Sequence, residues 1–197
     1  NLVKKSLVLA AMLTTVAGAG AMFTLYTYVV PALETLTSAS PFFITLGLVL
    51  IGLGFAVGNW IGGKLSSWSL DGATSVSLIA LSLTIFALPL LITNTTMAMI
   101  GLIVWGATAF AVVPPIQTRV MQLASDAPAL ASSVNVGAFN LGNALGAALG
   151  ATVLTFNLGY AAVPIAGGIV AILGLLLVAG GVVQGRHAHA LEIRTNI

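Results

Sequence analysis

The sequence predicts an all-α polytopic membrane protein of six transmembrane helices, arranged as two inverted three-helix repeats. Three observations predict it. Of the 197 residues, 59% are hydrophobic and only 5% are charged, against about 25% charged in soluble domains; the mean hydropathy is +1.14. Six apolar runs of about 20 residues or more follow one another, each long enough at ~1.5 Å per residue to cross a hydrocarbon core about 30 Å thick. The six Lys and Arg and the four Asp and Glu residues all fall at or beyond the ends of these runs. That placement is expected where a central charge costs ~2.5–3.5 kcal/mol on the insertion scale.

The first run covers 7–31. Lys4 and Lys5, the apolar stretch from Leu7 to Val16 and the small residues Ala17-Gly18-Ala19 imitate a secretory signal peptide. The run continues through Phe23, Leu25 and Val30, however, which suits a span better than a signal h-region. The chain begins at Asn1, so a start inside a longer protein is expected. The second run, 42–63, carries a glycine ladder of Gly47, Gly54, Gly58 and Gly62 with Asn59 beside it; Gly58, Asn59 and Gly62 are read as helix-packing residues. The third run is 73–92 and the fourth is 96–118, which holds Trp105 and Phe110.

The fifth run, 130–155, is apolar yet carries Asn135, Asn140 and Asn143. At 100° per residue, Asn135, Phe139, Gly142, Gly146 and Gly150 lie within about 80° of one another, with Asn143 at the edge of that face. The three glycines form a double small-xxx-small pattern that lets a second helix approach closely. Asn135 and Asn143 are then either interhelical clasps or the lining of a polar substrate path. Asn140 points about 60° further round and reads as a clasp. Phe23 and Tyr26 share a face of the first run with Met22 and Thr15; with Trp105 they are either core and interface aromatics or the lining for an apolar or ring-containing substrate. The sixth run is 161–184, followed by a polar tail over 185–197 in which His187 and His189 form too weak a pair for a metal site.

Charge placement orients the six runs. Lys4 and Lys5, Lys64, Arg119, Arg186 and Arg194 all fall on one side, and the other side holds Glu34 and uncharged turns. The positive-inside rule puts both termini, and residues 64–72 and 119–128, in the cytoplasm. The net charge of +2 is too small and too scattered to suggest nucleic acid as a partner, and the absence of cysteine removes disulfides and thiolate metal sites.

The two halves of the chain resemble each other. "VVPALET" at 29–35 returns as "VVPPIQT" at 112–118, and "FAVGNWIG" at 55–62 returns as "FNLGNALG" at 139–146, offsets of 83 and 84 residues. Repeat one then covers about 7–92 and repeat two about 96–184. Three spans per repeat force the copies into opposite orientations, as in secondary transporters. Chance recurrence of Gly, Pro and Val, which are common in membrane helices, is the alternative.

The stretch "VVPPIQTRVMQLASDAPALASSVNVGAFNLGNALGAALG" (112–150), with "LYTYVVPALE" (25–34) and "GNWIGGKL" (58–65), resembles the second half of bacterial major facilitator superfamily efflux proteins, in particular the arabinose-efflux-permease-like members of the drug:proton antiporter branch. The resemblance covers essentially the whole chain. It implies half of a major facilitator fold, equivalent to spans seven to twelve of twelve, in a bacterial inner membrane. The first, second, fourth and fifth spans would build one wall of a central cavity, with the third and sixth as peripheral supports. It also implies proton-driven efflux of small organic molecules, sugars or drugs, by alternating access against an N-terminal six-helix half. Phe23, Tyr26, Trp105, Asn135, Phe139 and Asn143 are the expected substrate-binding residues, and no cofactor is called for.

The chain departs from that family at Ser67 and Trp68, which stand where an acidic-basic pair would follow "GGKLS". The resemblance implies that the carboxylate and arginine used for coupling belong to the other half. Arg119 is expected as a snorkelling anchor at the inner end of the fourth span, paired with Asp126. A membrane structural or assembly module without autonomous transport is the rival reading. An enzyme is disfavoured, because no His, Asp, Glu or Cys lies in a span interior.

Overall fold

The computed structural model describes residues 2–195, with side chains from Lys5 to Val183. Lys4 and the tail residues Arg186, His187, His189 and Arg194, on which part of the charge reading rests, lie outside the described side chains. The described residues form eight helices: α1 (Leu2–Tyr26), α2 (Val29–Thr37), α3 (Pro41–Ser66), α4 (Leu70–Leu91), α5 (Thr95–Ala111), α6 (Val113–Leu123), α7 (Pro128–Thr155) and α8 (Ala162–Thr195). Six helical segments are long and apolar enough to span a membrane: Lys5–Tyr26, Pro41–Ser66, Leu70–Leu91, Thr95–Leu123, Pro128–Thr155 and Ala162–Val183. The chain is an all-α, multi-pass membrane protein.

Short polar punctuation separates these helices. Ser40, Ser69 and Asn94 cap α3, α4 and α5, their side-chain oxygens accepting from the backbone N–H of Phe43, Gly72 and Met97. Pro41 and Pro128 stand in the first turns of α3 and α7, where a missing N–H costs nothing. Gly159 (φ 79°) and Asn157 (φ 56°) supply the left-handed conformations that turn α7 into α8.

The first and fourth spans are each broken at their VVP motif. α1 ends at Tyr26 and α2 restarts at Val29; α5 ends at Ala111 and α6 restarts at Val113. Pro31, Pro114 and Pro115 have no N–H to donate to the preceding turn, so the ladder is interrupted at equivalent positions of both repeats.

Helix pairing also obeys the repeat. α7 packs on α1 and α3 on α5; α8 packs on α1 and α4 on α5; α4 meets α8. Exchanging the first three spans for the last three maps this pattern onto itself. α7 and α3 lie at the two edges, and α4 and α8 form the back. The register does not follow the exchange. Gly58 faces the Ala107 carbonyl, so its equivalent Gly142 should face Thr24, but Gly142 faces the Val16 carbonyl. The shift is eight residues, about 12 Å along the helix axis.

Each edge helix is seated by its glycines. A Cβ on Gly142 would lie 2.5 Å from the Val16 carbonyl oxygen, one on Gly150 would lie 2.8 Å from that of Thr24, and one on Gly146 would overlap that of Gly20. On the other edge, Gly54, Gly58 and Gly62 meet the carbonyls of Ile103, Ala107 and Ala111 in the same way. These are backbone-to-helix contacts of the small-xxx-small kind. Tyr28 fastens the far end of the α1–α7 contact by donating from its hydroxyl to the Ala147 carbonyl, 2.9 Å away.

Ser67 and Thr93 are both exposed and flank the 22-residue helix α4, so they sit about 33 Å apart. Single cysteines there are expected to react with an impermeant maleimide from opposite faces of sealed cells. Labelling of both from one face would remove α4 from the set of spans.

Candidate functional site

A polar relay joins three spans in the interior. The Thr15 hydroxyl of α1 donates to Asn135 Oδ1 of α7 at 2.7 Å, Asn135 Nδ2 donates to Gln117 Oε1 of α6 at 2.5 Å, and Gln117 Nε2 donates to the Ser132 hydroxyl of α7 at 2.6 Å. Asn135 is only 3% exposed. The relay spans a place where α1, α6 and α7 converge and where an unpaired amide would be costly.

Beside it lies a cavity of about 340 Å³, walled by Thr15, Gly18, Ala19 and Met22 of α1, Ala109 and Phe110 of α5, Val113, Ile116 and Gln117 of α6, and Asn135, Val136 and Phe139 of α7, with Val112 at the break. This falls in the ~300–1,000 Å³ range of small-molecule sites. Six aromatic rings run across the same face of the bundle. Phe139 meets Phe23 edge-on (centroids 6.1 Å), Phe23 meets Tyr26 (5.4 Å), Tyr26 meets Phe55 (5.8 Å) and Phe55 stacks on Phe110 (4.1 Å). Trp105 stands behind, 6.3 Å from both Tyr26 and Phe55. All six rings come from α1, α3, α5 and α7. α4 and α8 contribute none.

The nearest charges are away from this wall. Arg119 of α6 pairs with Asp71 in the first turn of α4, where a carboxylate also complements the helix dipole. The guanidinium is 15% exposed and lies beside Gly181 of α8. It therefore ties α6 to the back of the bundle.

No protein-family model matches the sequence. Individual proteins do. Over 171 residues the chain is 58% identical to "Inner membrane transport protein YdhP" of Escherichia coli (strain K12), covering 87% of this chain and 44% of that protein. It is 32% identical over 181 residues to "Uncharacterized MFS-type transporter YtbD" of Bacillus subtilis (strain 168), covering 90% of this chain and 46% of that protein. The chain belongs to the MFS-type transporters. A further relative of this MFS-type chain, at 29% identity over 194 residues, is "Probable sugar efflux transporter" of Haemophilus influenzae (strain PittGG), with 97% of this chain and 48% of that protein covered. The chain spans less than half the length of the relatives it matches. They are transporters, not enzymes.

In this MFS-type bundle the residues singled out in the sequence separate into groups. Phe23, Tyr26 and Phe139 lie in the ring series, and Phe139 and Asn135 line the cavity. Asn135 is at once clasp and lining. Asn143 is half-buried and its Oδ1 has no hydrogen-bond partner among the described residues. Gly58, Gly62, Gly142, Gly146 and Gly150 are all buried in helix contacts.

Three placements and one partner differ from expectation. Trp105, read as lining, is fully buried, because Tyr26 and Phe55 stand in front of it. Asn59 and Asn140, read as packing residues, are exposed, since each lies next to its helix's glycine stripe and not on it. Arg119, one turn before the end of α6 at Leu123, pairs with Asp71 of α4, a partner the sequence did not suggest.

Gln117 and Phe55 are contributions the sequence reading missed. Gln117 sits inside "VVPPIQT", where the repeat match drew attention to the prolines. Phe55 heads "FAVGNWIG" as Phe139 heads the matching stretch, so the repeat itself carried the signal for it.

Asn135→Ala is expected to lower the melting temperature by the equivalent of ~0.6–1.7 kcal/mol per hydrogen bond lost, whereas Asn140→Ala should leave it unchanged. A double-mutant cycle of Asn135→Ala with Gln117→Ala should be strongly non-additive. Simple additivity in thermal unfolding would show that the relay is not a unit.

Proposed function

We propose that the chain is the C-terminal half of a secondary active transporter of a bacterial inner membrane, exporting small organic molecules by alternating access. It is one six-helix bundle of two repeats, about 7–92 and 96–184, with a cytoplasmic tail over 185–197 and both termini cytoplasmic. Its missing partner is an N-terminal six-helix half of the same protein. The observation that carries this reading is the aromatic face: rings from α1, α3, α5 and α7 converge on one side of the bundle, next to a cavity of transporter-ligand size. The relatives support it by their transport names and by their length, which leaves room for a second bundle. In an inverted-repeat transporter the substrate is handled near the midplane, between bundles that rock against each other.

The proton-coupling group is assigned to the other half. Intramembrane titratable groups are the usual marks of a proton relay, and no carboxylate or histidine lines the cavity among the described residues. Glu34 is exposed near the end of α2. Reconstituted into liposomes, the chain alone is expected to show no substrate-driven proton flux, while the full-length protein shows it and keeps it on Glu34→Gln. Proton-coupled transport by the isolated chain, read with an internal pH dye, would refute the assignment.

A further inference from the structure

We propose that a slot between α1, α4, α6 and α8 binds one ordered water molecule, which ties Thr14, Thr74 and Arg119 together.

The slot lies on the back of the bundle, at the end that carries the Arg119–Asp71 pair. Ala10 of α1 and Leu177 and Gly181 of α8 help to enclose it, and its volume is about 10 Å³. That is the space a single water needs, and far too little for a lipid headgroup or an organic molecule. Its polar wall consists of Thr14 of α1, Thr74 of α4 and Arg119 of α6. Thr14 is 3% exposed and Thr74 1%, so bulk solvent serves neither hydroxyl.

The hydrogen bonds fit a water. Thr14 donates its proton to the Ala10 carbonyl at 2.9 Å, and Thr74 donates its proton to the Leu70 carbonyl at 2.7 Å. Each hydroxyl oxygen is left with its lone pairs, which only accept. The Arg119 guanidinium only donates. Its Nη1 is against Asp71, while its Nη2 lies 3.7 Å from where a Cβ on Gly181 would stand. Gly181 is part of the wall, which puts Nη2 on the slot side of the guanidinium. Two acceptors and one donor around a water-sized gap are completed by a water that gives one proton to each threonine oxygen and accepts from Nη2.

Other occupants fit less well. A cation would meet the guanidinium. An anion would find Arg119 as its one donor, because both threonine protons are committed to their own helices, and the charge of Arg119 is already balanced by Asp71.

The consequence is mechanical. α6 is the segment beyond the break at Val112 and carries both Gln117 and Arg119. Thr15 reaches it through Asn135 on the cavity side. Thr14, one residue earlier and 100° round α1, reaches it through the water on the back. α1 thus grips α6 on two sides with adjacent threonines.

The test uses the full-length transporter that contains this chain. In a structure whose resolution shows other buried waters, a peak is expected within hydrogen-bonding distance of Thr14 Oγ1, Thr74 Oγ1 and Arg119 Nη2 together. Thr14→Val and Thr74→Val keep the side-chain shape and remove one acceptor each. Either should lower the melting temperature in detergent by about 2–4 °C, the shift that one lost hydrogen bond produces in a bundle of this size. The two together should cost no more than the larger single loss, because the water leaves with its first threonine. Thr74→Ser keeps the oxygen and should keep the peak.

A map that shows other buried waters and none here overturns the proposal, as does a peak that survives the double substitution. Absent or additive shifts from the two valines overturn it too, since each hydroxyl would then serve only its own helix. An anomalous signal at this position in crystals grown in bromide would make the occupant an anion and equally refute it. If a valine variant is not recovered folded, the map of the unaltered protein decides alone.

Discussion

Gly146→Leu is expected to abolish most of the folded yield of this bundle. A Cβ on Gly146 already overlaps the Gly20 carbonyl and would stand 2.9 Å from the Thr24 nitrogen, so the conflict is with backbone and no rotamer relieves it. The remaining three carbons of Leu would have to separate α7 from α1 along their whole glycine contact. That places the cost at or above the upper end of the ~1–3 kcal/mol typical of overpacking. Ala148, two residues on, is exposed, and Ala148→Leu should be tolerated. Fluorescence-detected size exclusion with a thermal challenge reads both. Equal behaviour of the two variants would mean that the glycine face is not where α7 meets α1.

Trp105→Ala should be nearly as damaging, for the opposite reason. The indole is completely buried behind Tyr26 and Phe55, and its removal leaves a void under the ring series. Truncations of buried aromatic side chains cost ~3–5 kcal/mol, much of it from the cavity left behind. Trp105→Phe should cost less than half as much. It keeps a ring under Tyr26 and removes an indole N–H that has no acceptor among the described residues, a group whose burial is itself unfavourable. Thermal unfolding of the two variants in the same detergent orders them, and a Phe variant as unstable as the Ala variant would mean that the indole N–H, not the ring's volume, matters.

The spans and their number were legible because they depend on local quantities. Hydropathy over about 20 residues fixes a span, and the Gly142, Gly146 and Gly150 spacing reads as one face because a helix has a fixed pitch. What was not legible depends on pairs distant in sequence. Thr15 and Asn135 are 120 residues apart, and nothing in a single sequence says that the two helices carrying them meet at that level. Asn59 and Asn140 show the same limit at shorter range. Asn59 follows buried Gly58 and Asn140 follows Phe139 of the cavity wall, yet one residue along a helix is a 100° rotation, enough to turn an amide from contact to exposure. Trp105 was misjudged because periodicity says which residues share a face, not which of them stands in front.

The two-turn displacement between the repeats has its own consequence. A perfectly inverted pair would leave the bundle without polarity: turned upside down in the bilayer it would be the same object, and any state open toward one side would have a partner of equal energy open toward the other. Gly142 over Val16, set against Gly58 over Ala107, adds a difference of shape to the difference of sequence between the two repeats. The two ends of the bundle are therefore not interchangeable even in backbone outline, so neither can stand in for the other in the bilayer.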